Sequence, residues 1–281
     1  MAEKIKPSLY TLPTELIYRI LNYLDDFNLF CTMRNVCTRI NTIMDSYRRY
    51  KTVITLDIGV NQIDDQATYY LADALRQNQT LIKLNLQLNQ IGPQGAEYLA
   101  NSLRQNQTLT RLNLHYNQIG DEGAKHLADA LQQNKTITRL NLIHNQIGEK
   151  GAYYLANVLQ QNQTLTILYV AQNQIGDEGA QHFANALQQN QTLTTLSLKS
   201  NQIGDQGANH FANALVQNKT LTTLNLKWNQ IGDQGGCHLA NALRQNETLF
   251  FLDIRFNNMN DDGREQLLEI RKDYPRLKLI L

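Results

Sequence analysis

The stretch LNLHYNQIGDEGAKHLADALQQN, residues 112–134, decides the fold. It opens on period-2 alternation, in which Leu112 and Leu114 face one way and Asn113 and His115 the other, the pattern of a short half-buried strand. It continues with Ala124, Leu127, Ala128 and Leu131 at i, i+3, i+4 and i+7, which is one apolar helix stripe. Between the two, Gly120 offers a permissive turn and Asp121 an acid where a helix N-terminus favours one. Asn134 is expected to close the helix in the left-handed conformation.

Outward from this stretch the same pattern returns every 28 residues. Eight units start at Thr52, Thr80, Thr108, Thr136, Thr164, Thr192, Thr220 and Thr248, and no linker interrupts them. One strand and one helix per unit cannot bury their apolar faces alone. Stacking is the solution, with a parallel sheet on one side and a layer of helices on the other.

The recurring L-x-x-L-x-L-x-x-N-x-I-G resembles the leucine-rich repeats of the 28-residue class found in ribonuclease inhibitor, over about four fifths of the chain. The resemblance implies an α/β solenoid, a horseshoe with the sheet on the concave face and helices on the convex face. It spans 51–281, as eight repeats plus a partial C-terminal strand. It also implies a ladder of buried amides from Asn61, Asn89, Asn117, Asn145, Asn173, Asn201, Asn229 and Asn257, each bonding backbone groups of neighbouring repeats; burial of an amide requires such satisfaction.

The repeats act as controls for one another. Beside that invariant asparagine, the preceding slot holds Val60, Leu88, Tyr116, His144, Gln172, Ser200, Trp228 and Phe256, with no residue type used twice. Packing does not demand this diversity. Exposed Gln-Gln pairs before Asn134, Asn162 and Asn190 have varied far less. The outward positions therefore form a candidate partner surface: Arg111, His115, Tyr116, Arg139, His144, Tyr169, Lys199, Lys227, Trp228, Phe251, Arg255 and Phe256. Exposed aromatics mark contact sites. Of the outward charges, six are basic (Lys83, Arg111, Arg139, Lys199, Lys227, Arg255) and two acidic (Asp57, Asp253), a net +4 on this face against +1 for the whole chain. An acidic or phosphorylated protein partner is expected. Nucleic acid is not, because the overall charge gives little long-range attraction and the basic stripe is interrupted from Ile167 to Thr195.

Residues 1–50 lie outside the repeat. Between Leu9 and Asp45, 20 of 37 residues are apolar or aromatic, more than so short a helical segment hides by itself. LPTELIYRILNYLDDFNLFCTMRNVCTRI, residues 12–40, is similar to the F-box, a small all-α module. The resemblance implies docking on a Skp-family adaptor of the cullin ligase core through Leu12, Pro13, Leu16, Ile20, Leu24, Leu29 and Val36. Ile40 stands where that family commonly has an aromatic. A simpler role for the segment is a cap on the first repeat, which solenoids require.

Catalysis finds no support in G-x-S-x-G, P-loop, H-E-x-x-H or C-x-x-C motifs, and no cofactor or metal is expected. His126, His182, His210 and His238 share one helix slot with Tyr70, Tyr98 and Tyr154, an interchange foreign to metal ligation. Cys31, Cys37 and Cys237 have no disulfide or metal spacing, so a reducing compartment is expected. The N-terminus has no signal-peptide core and no apolar run approaches the ~18 residues that span a bilayer. The expected location is cytoplasmic, with access to the nucleus, and the expected state a monomer. Seven N-x-T sequons, at Asn78, Asn106, Asn134, Asn162, Asn190, Asn218 and Asn246, are then by-products of the repeat. Together these features point to a non-catalytic substrate receptor of a ubiquitin ligase, or to a stand-alone binder resembling ribonuclease inhibitor.

Overall fold

The computed structural model describes Thr14, Ile17 and residues 53–281. The residues expected to dock the adaptor, Leu12, Pro13, Leu16, Ile20, Leu24, Leu29 and Val36, lie outside the described residues. Strands and helices alternate in chain order: β1 (Thr55–Asp57), α1 (Asp65–Gln77), β2 (Lys83–Asn85), α2 (Pro93–Leu103), β3 (Arg111–Asn113), α3 (Gly120–Gln133), β4 (Arg139–Asn141), α4 (Glu149–Leu159) and β5 (Ile167–Tyr169). They continue as α5 (Gly176–Gln189), β6 (Thr195–Ser197), α6 (Asp205–Gln217), β7 (Thr223–Asn225), α7 (Asp233–Leu243), β8 (Phe251–Asp253), α8 (Asp261–Asp273) and β9 (Lys278–Ile280).

All nine strands form one parallel sheet in the order of the sequence; from β1 to β8 each strand is in register with the equivalent residue 28 positions on, as in Leu112↔Leu140, and β8 pairs with β9 at an offset of 27, as in Leu252↔Leu279. The inward leucines, Leu112 and Leu114 among them, and the helix stripe Ala124, Leu127, Ala128 and Leu131 are buried in one continuous core. Ile17, in helical backbone, is fully buried in the same core. Helices need ~10 Å of lateral room and strands ~4.8 Å, so the sheet occupies the inner, concave side.

Asn134 corrects one expectation. It ends α3 with φ −70° and ψ 128°, extended and not left-handed. Its amide is committed elsewhere: Nδ2 donates to the carbonyls of Leu103 and Asn106 in the preceding repeat, and Oδ1 accepts from the Thr136 and Ile137 N–H groups. An asparagine spanning four backbone groups must stay extended so that its side chain can point back into the core. The same geometry recurs at Asn106, Asn190, Asn218 and Asn246, all buried. A second asparagine ladder therefore runs under the helix C-termini, and its members are the sequon asparagines.

The helix N-termini are tied by a different device. Asp121 is in the first turn of α3, yet its Oδ1 accepts from the Gly148 and Gly151 N–H groups of the next repeat, at 2.7 and 2.9 Å. Asp65, Asp177 and Asp205 do the same one repeat on. Two repeats carry Pro93 and Glu149 in that slot. In the repeats that follow them, the glycine turns to φ +62° at Gly120 and Gly176, and its N–H donates to the Asn145 and Asn201 carbonyls instead. Only these two of the turn glycines use the left-handed region, because only they lack the carboxylate that holds the others at negative φ.

Candidate binding surface and family

The invariant asparagines build the first ladder. Asn173 shows it in full: Nδ2 donates to the carbonyls of Leu142, Val170 and Ala171, and Oδ1 accepts from the Asn145 and Ile147 N–H groups. Asn89 and Asn229 repeat the pattern, while Asn117 and the half-buried Asn257 near the end of the array donate in the same way but accept from one N–H each, of Ile91 and Ile231. Asn61, in the first repeat, is exposed: its backbone N–H donates to Asn89 Oδ1, but among the described residues its side chain bonds only the Gly59 carbonyl two residues away. Asn145 and Asn201 differ because the flipped glycines take their backbone carbonyls. Asn145 Oδ1 is left with a long 3.4 Å bond from Ile119 N–H, and the buried Asn201 Oδ1 has no partner among the described residues.

One residue before this ladder, the backbone is left-handed in every repeat. Val60, Leu88, Tyr116, His144, Gln172, Ser200, Trp228 and Phe256 all have φ between 53° and 60°. Such a conformation costs about 1–2 kcal/mol for a residue with a Cβ and favours glycine or asparagine. Neither occurs here. Three of the side chains are large aromatics about half exposed: Tyr116 (48%), Trp228 (51%) and Phe256 (53%). They pair along the array, Tyr116 stacking on His144 with ring centres 4.2 Å apart and Trp228 on Phe256 at 4.3 Å. Left-handed backbone is therefore the geometry that projects this row from the strand ends, and the row was legible in the sequence only as a run of unrelated residues.

Toward the strand starts, Lys83, Arg111 and Arg139 occupy the same outward position on consecutive strands. They line an open depression of about 260 Å³ together with Thr55, Asp57 and the asparagines Asn85, Asn113 and Asn141. Arg139 donates to the Tyr169 hydroxyl at 3.0 Å and lies over its ring. Further on, the sheet face is neutral at Thr195 and Thr223, with Lys199 half-buried and Ala171 and Ser197 buried. At the C-terminal end Lys227 Nζ sits 4.9 Å from the Phe256 ring centre, and half-buried Phe251 lies under Lys278.

Arg255 does not stand free on this face. It forms a bidentate pair with buried Asp253, through Nε at 3.0 Å and Nη2 at 2.8 Å, and this bond raises the guanidinium pKa further. Its charge is spent inside the face. His115 is held below the usual imidazole range by burial and, second, by the His144 imidazole, so at neutral pH it adds no cation. Among the described residues no cluster of three or more His, Cys, Asp or Glu could hold a metal ion, and no helix is long and apolar enough to cross a membrane.

Comparison with known families agrees with this architecture. The Leucine Rich repeat family matches residues 77–100, 105–128, 133–156, 161–184, 189–212, 217–239 and 245–268, more than half of the chain. The chain belongs to the leucine-rich-repeat family. The F-box domain family matches residues 9–52, so this leucine-rich-repeat protein carries an F-box at its N-terminal side. No curated protein matches the chain. Similar solved structures include leiomodin-1 actin-binding site 2, at 24% identity and TM-score 0.46, over 55% of this chain and 91% of that one. Another is the tropomodulin C-terminal domain of Caenorhabditis elegans, at 16% identity and TM-score 0.44, over 63% of this chain and 98% of that one. F-box domains bind Skp-family adaptors and leucine-rich repeats bind protein targets, so the chain is a protein-binding adaptor built from modules that are typically non-catalytic.

Proposed function

We propose that the chain is the substrate-recognition subunit of a cullin-Skp-F-box ubiquitin ligase, with the target held on the concave repeat face and the chemistry residing in other subunits. The observation that carries this reading is the pairing, in one chain, of an F-box at 9–52 with a row of exposed, left-handed side chains that the fold itself does not require. In this reading Leu12, Pro13, Leu16, Ile20, Leu24, Leu29 and Val36 contact the adaptor. The target is an acidic or phosphorylated protein, met by Arg111, Arg139, Lys199 and Lys227 with Tyr116, Trp228 and Phe256 as apolar anchors. The receptor is monomeric by itself, cytoplasmic with access to the nucleus, and independent of cofactors, nucleic acid and membrane. The test is co-purification with a Skp-type adaptor: Pro13→Ala combined with Leu16→Ala is expected to abolish capture while the repeats melt as before. Unchanged capture by that double mutant refutes the ligase reading.

One observation favours a second reading. Ile17 lies between the adaptor-docking positions in sequence but is fully buried in the core shared with the repeats. The N-terminal segment would then cap the array of a stand-alone binder. Ile17→Ala distinguishes the roles: a cap loses array stability, by about 2–4 kcal/mol for a buried aliphatic truncation, whether or not adaptor is bound.

A further inference from the structure

The concave face carries a cost in the free protein at two separate places. At β2–β4, Lys83, Arg111 and Arg139 stand in direct register, side by side at the ~4.8 Å strand spacing. Like charges on paired strands are destabilising. Among the described residues none of the three forms an ion pair, and Asp57 on β1, which lines the same depression and accepts from Asn85 Nδ2 and the Gly59 N–H, is the one carboxylate among its lining residues, so the depression keeps a net charge of about +2. At β7–β8, Trp228 and Phe256 hold left-handed backbone and leave half of each ring in water. An anion relieves the first cost. An apolar side chain relieves the second.

We propose that the face is a bipartite site for an extended acidic segment, with a phosphate or carboxylate cluster over Lys83, Arg111 and Arg139 and an aromatic or large aliphatic residue on the Trp228–Phe256 stack. The proposal deepens the substrate-receptor reading and rests on it for the biological role of the segment. The two subsites are separated at the outward strand positions Thr195 and Thr223, which offer neither charge nor rings, with half-buried Lys199 beside them. The length of the segment follows from geometry: four to five strand spacings across the sheet and one strand length along it give about 25 Å, or about eight residues of extended chain. Guanidinium forks suit either anion, and a phosphate offers more acceptor oxygens than one carboxylate.

The probes are fluorescent peptides bearing an anionic pair at one end and a tryptophan at the other, joined by Gly-Ser spacers of three, eight or twenty residues. One arm carries two phosphoserines and another two glutamates; binding to the full chain is read by anisotropy. The eight-residue spacer is expected to bind at least ten-fold tighter than the three-residue spacer or either single-anchor peptide, because the second contact becomes intramolecular. Lys83→Glu with Arg111→Glu is expected to lower binding of every anionic peptide more than ten-fold, whereas Trp228→Ala removes only the advantage conferred by the tryptophan. Lys83→Ala with Arg111→Ala guards against misfolding: it is expected to melt no lower than the wild type and still lose anionic binding. Affinity independent of spacer length, or tighter binding of a ten-nucleotide single strand than of the phosphopeptide, overturns the proposal. Adaptor capture by the same variants is measured in parallel. Its absence with peptide binding intact refutes the ligase reading alone, and the converse refutes the bipartite site alone.

Discussion

Two columns run side by side through this array, one residue apart, and evolve under opposite constraints. The column of Asn117 is asparagine eight times out of eight, and its members in the middle of the array are buried and bonded to backbone on both sides. The column of Tyr116 has eight different residues, exposed or half-exposed at its aromatic members, although its strained backbone would be better served by glycine. The difference shows which physical term fixes a residue's identity here. A buried amide that satisfies four or five backbone groups has no substitute. A left-handed φ costing about 1–2 kcal/mol, by contrast, dictates no residue type at any of the eight positions.

Mutations in the two columns can break this comparison. The largest effect is expected at Asn173→Ala, which strips partners from five backbone groups and is expected to cost about 2–3 kcal/mol by chemical denaturation. Asn201→Ala occupies the same column but removes an oxygen that has no partner, so its cost is expected to be about 1 kcal/mol. Equal losses at the two sites would show that the ladder bonds do not set stability. Gly120→Ala is expected to cost about 1 kcal/mol, since its φ of +62° disfavours a Cβ although nothing lies within 4 Å to clash with it. Restoring the carboxylate with Pro93→Asp is expected to shrink that cost, because the glycine N–H then has the partner that holds Gly148 at negative φ. In the variable column, His144→Ala is expected to change the melting free energy by well under 1 kcal/mol, and Gln172→Gly to raise it by a few tenths as the strain is released. The smallest effect is electrostatic. His115 has a depressed folded-state pKa, so it contributes stability above its unfolded value near 6.5 that is lost as pH falls through the folded value. An NMR titration is expected to place its midpoint below 6.5 and to move it up only in part in His144→Ala, because burial is the larger cause.

Much of this was legible before the coordinates. Leu112 and Leu114 against Arg111 and Asn113, and the stripe from Ala124 to Leu131, follow from local periodicity, which one strand and one helix reveal by themselves. The stacking and the ladder of Asn117 were expected from the resemblance; what escaped were the other bonds made between repeats. Asn134 reads locally as a helix stop, and only its partners Leu103 and Asn106, in the preceding repeat, make it a ladder member with extended backbone. Regular recurrence of the sequons was the available signal, since an exposed asparagine has no reason to persist seven times. Asp121 likewise reads as an acid for its own helix although it serves the next one. The pairing of Arg255 with Asp253 was obscured because residues two apart on a strand were counted as separate outward charges. Of the candidate partner residues, Tyr116, Trp228 and Phe256 share one exposed row, while Arg139 and Tyr169 engage each other.

Every long-range side-chain bond of the two ladders and the aspartate caps joins a repeat to its immediate neighbour, at separations of 26 to 31 residues. Mechanically, the array is thus a stack of shingles with no cable running through it. Tension applied between the chain ends is expected to peel units one at a time, each releasing 28 residues, or roughly 90–100 Å of contour at 3.3–3.6 Å per residue. The repeat of Asn201, whose amide oxygen has no partner among the described residues, is expected to give way at lower force than that of Asn173. A solenoid of this kind is expected to yield locally under such a pull, and to close again without losing the remainder of the stack.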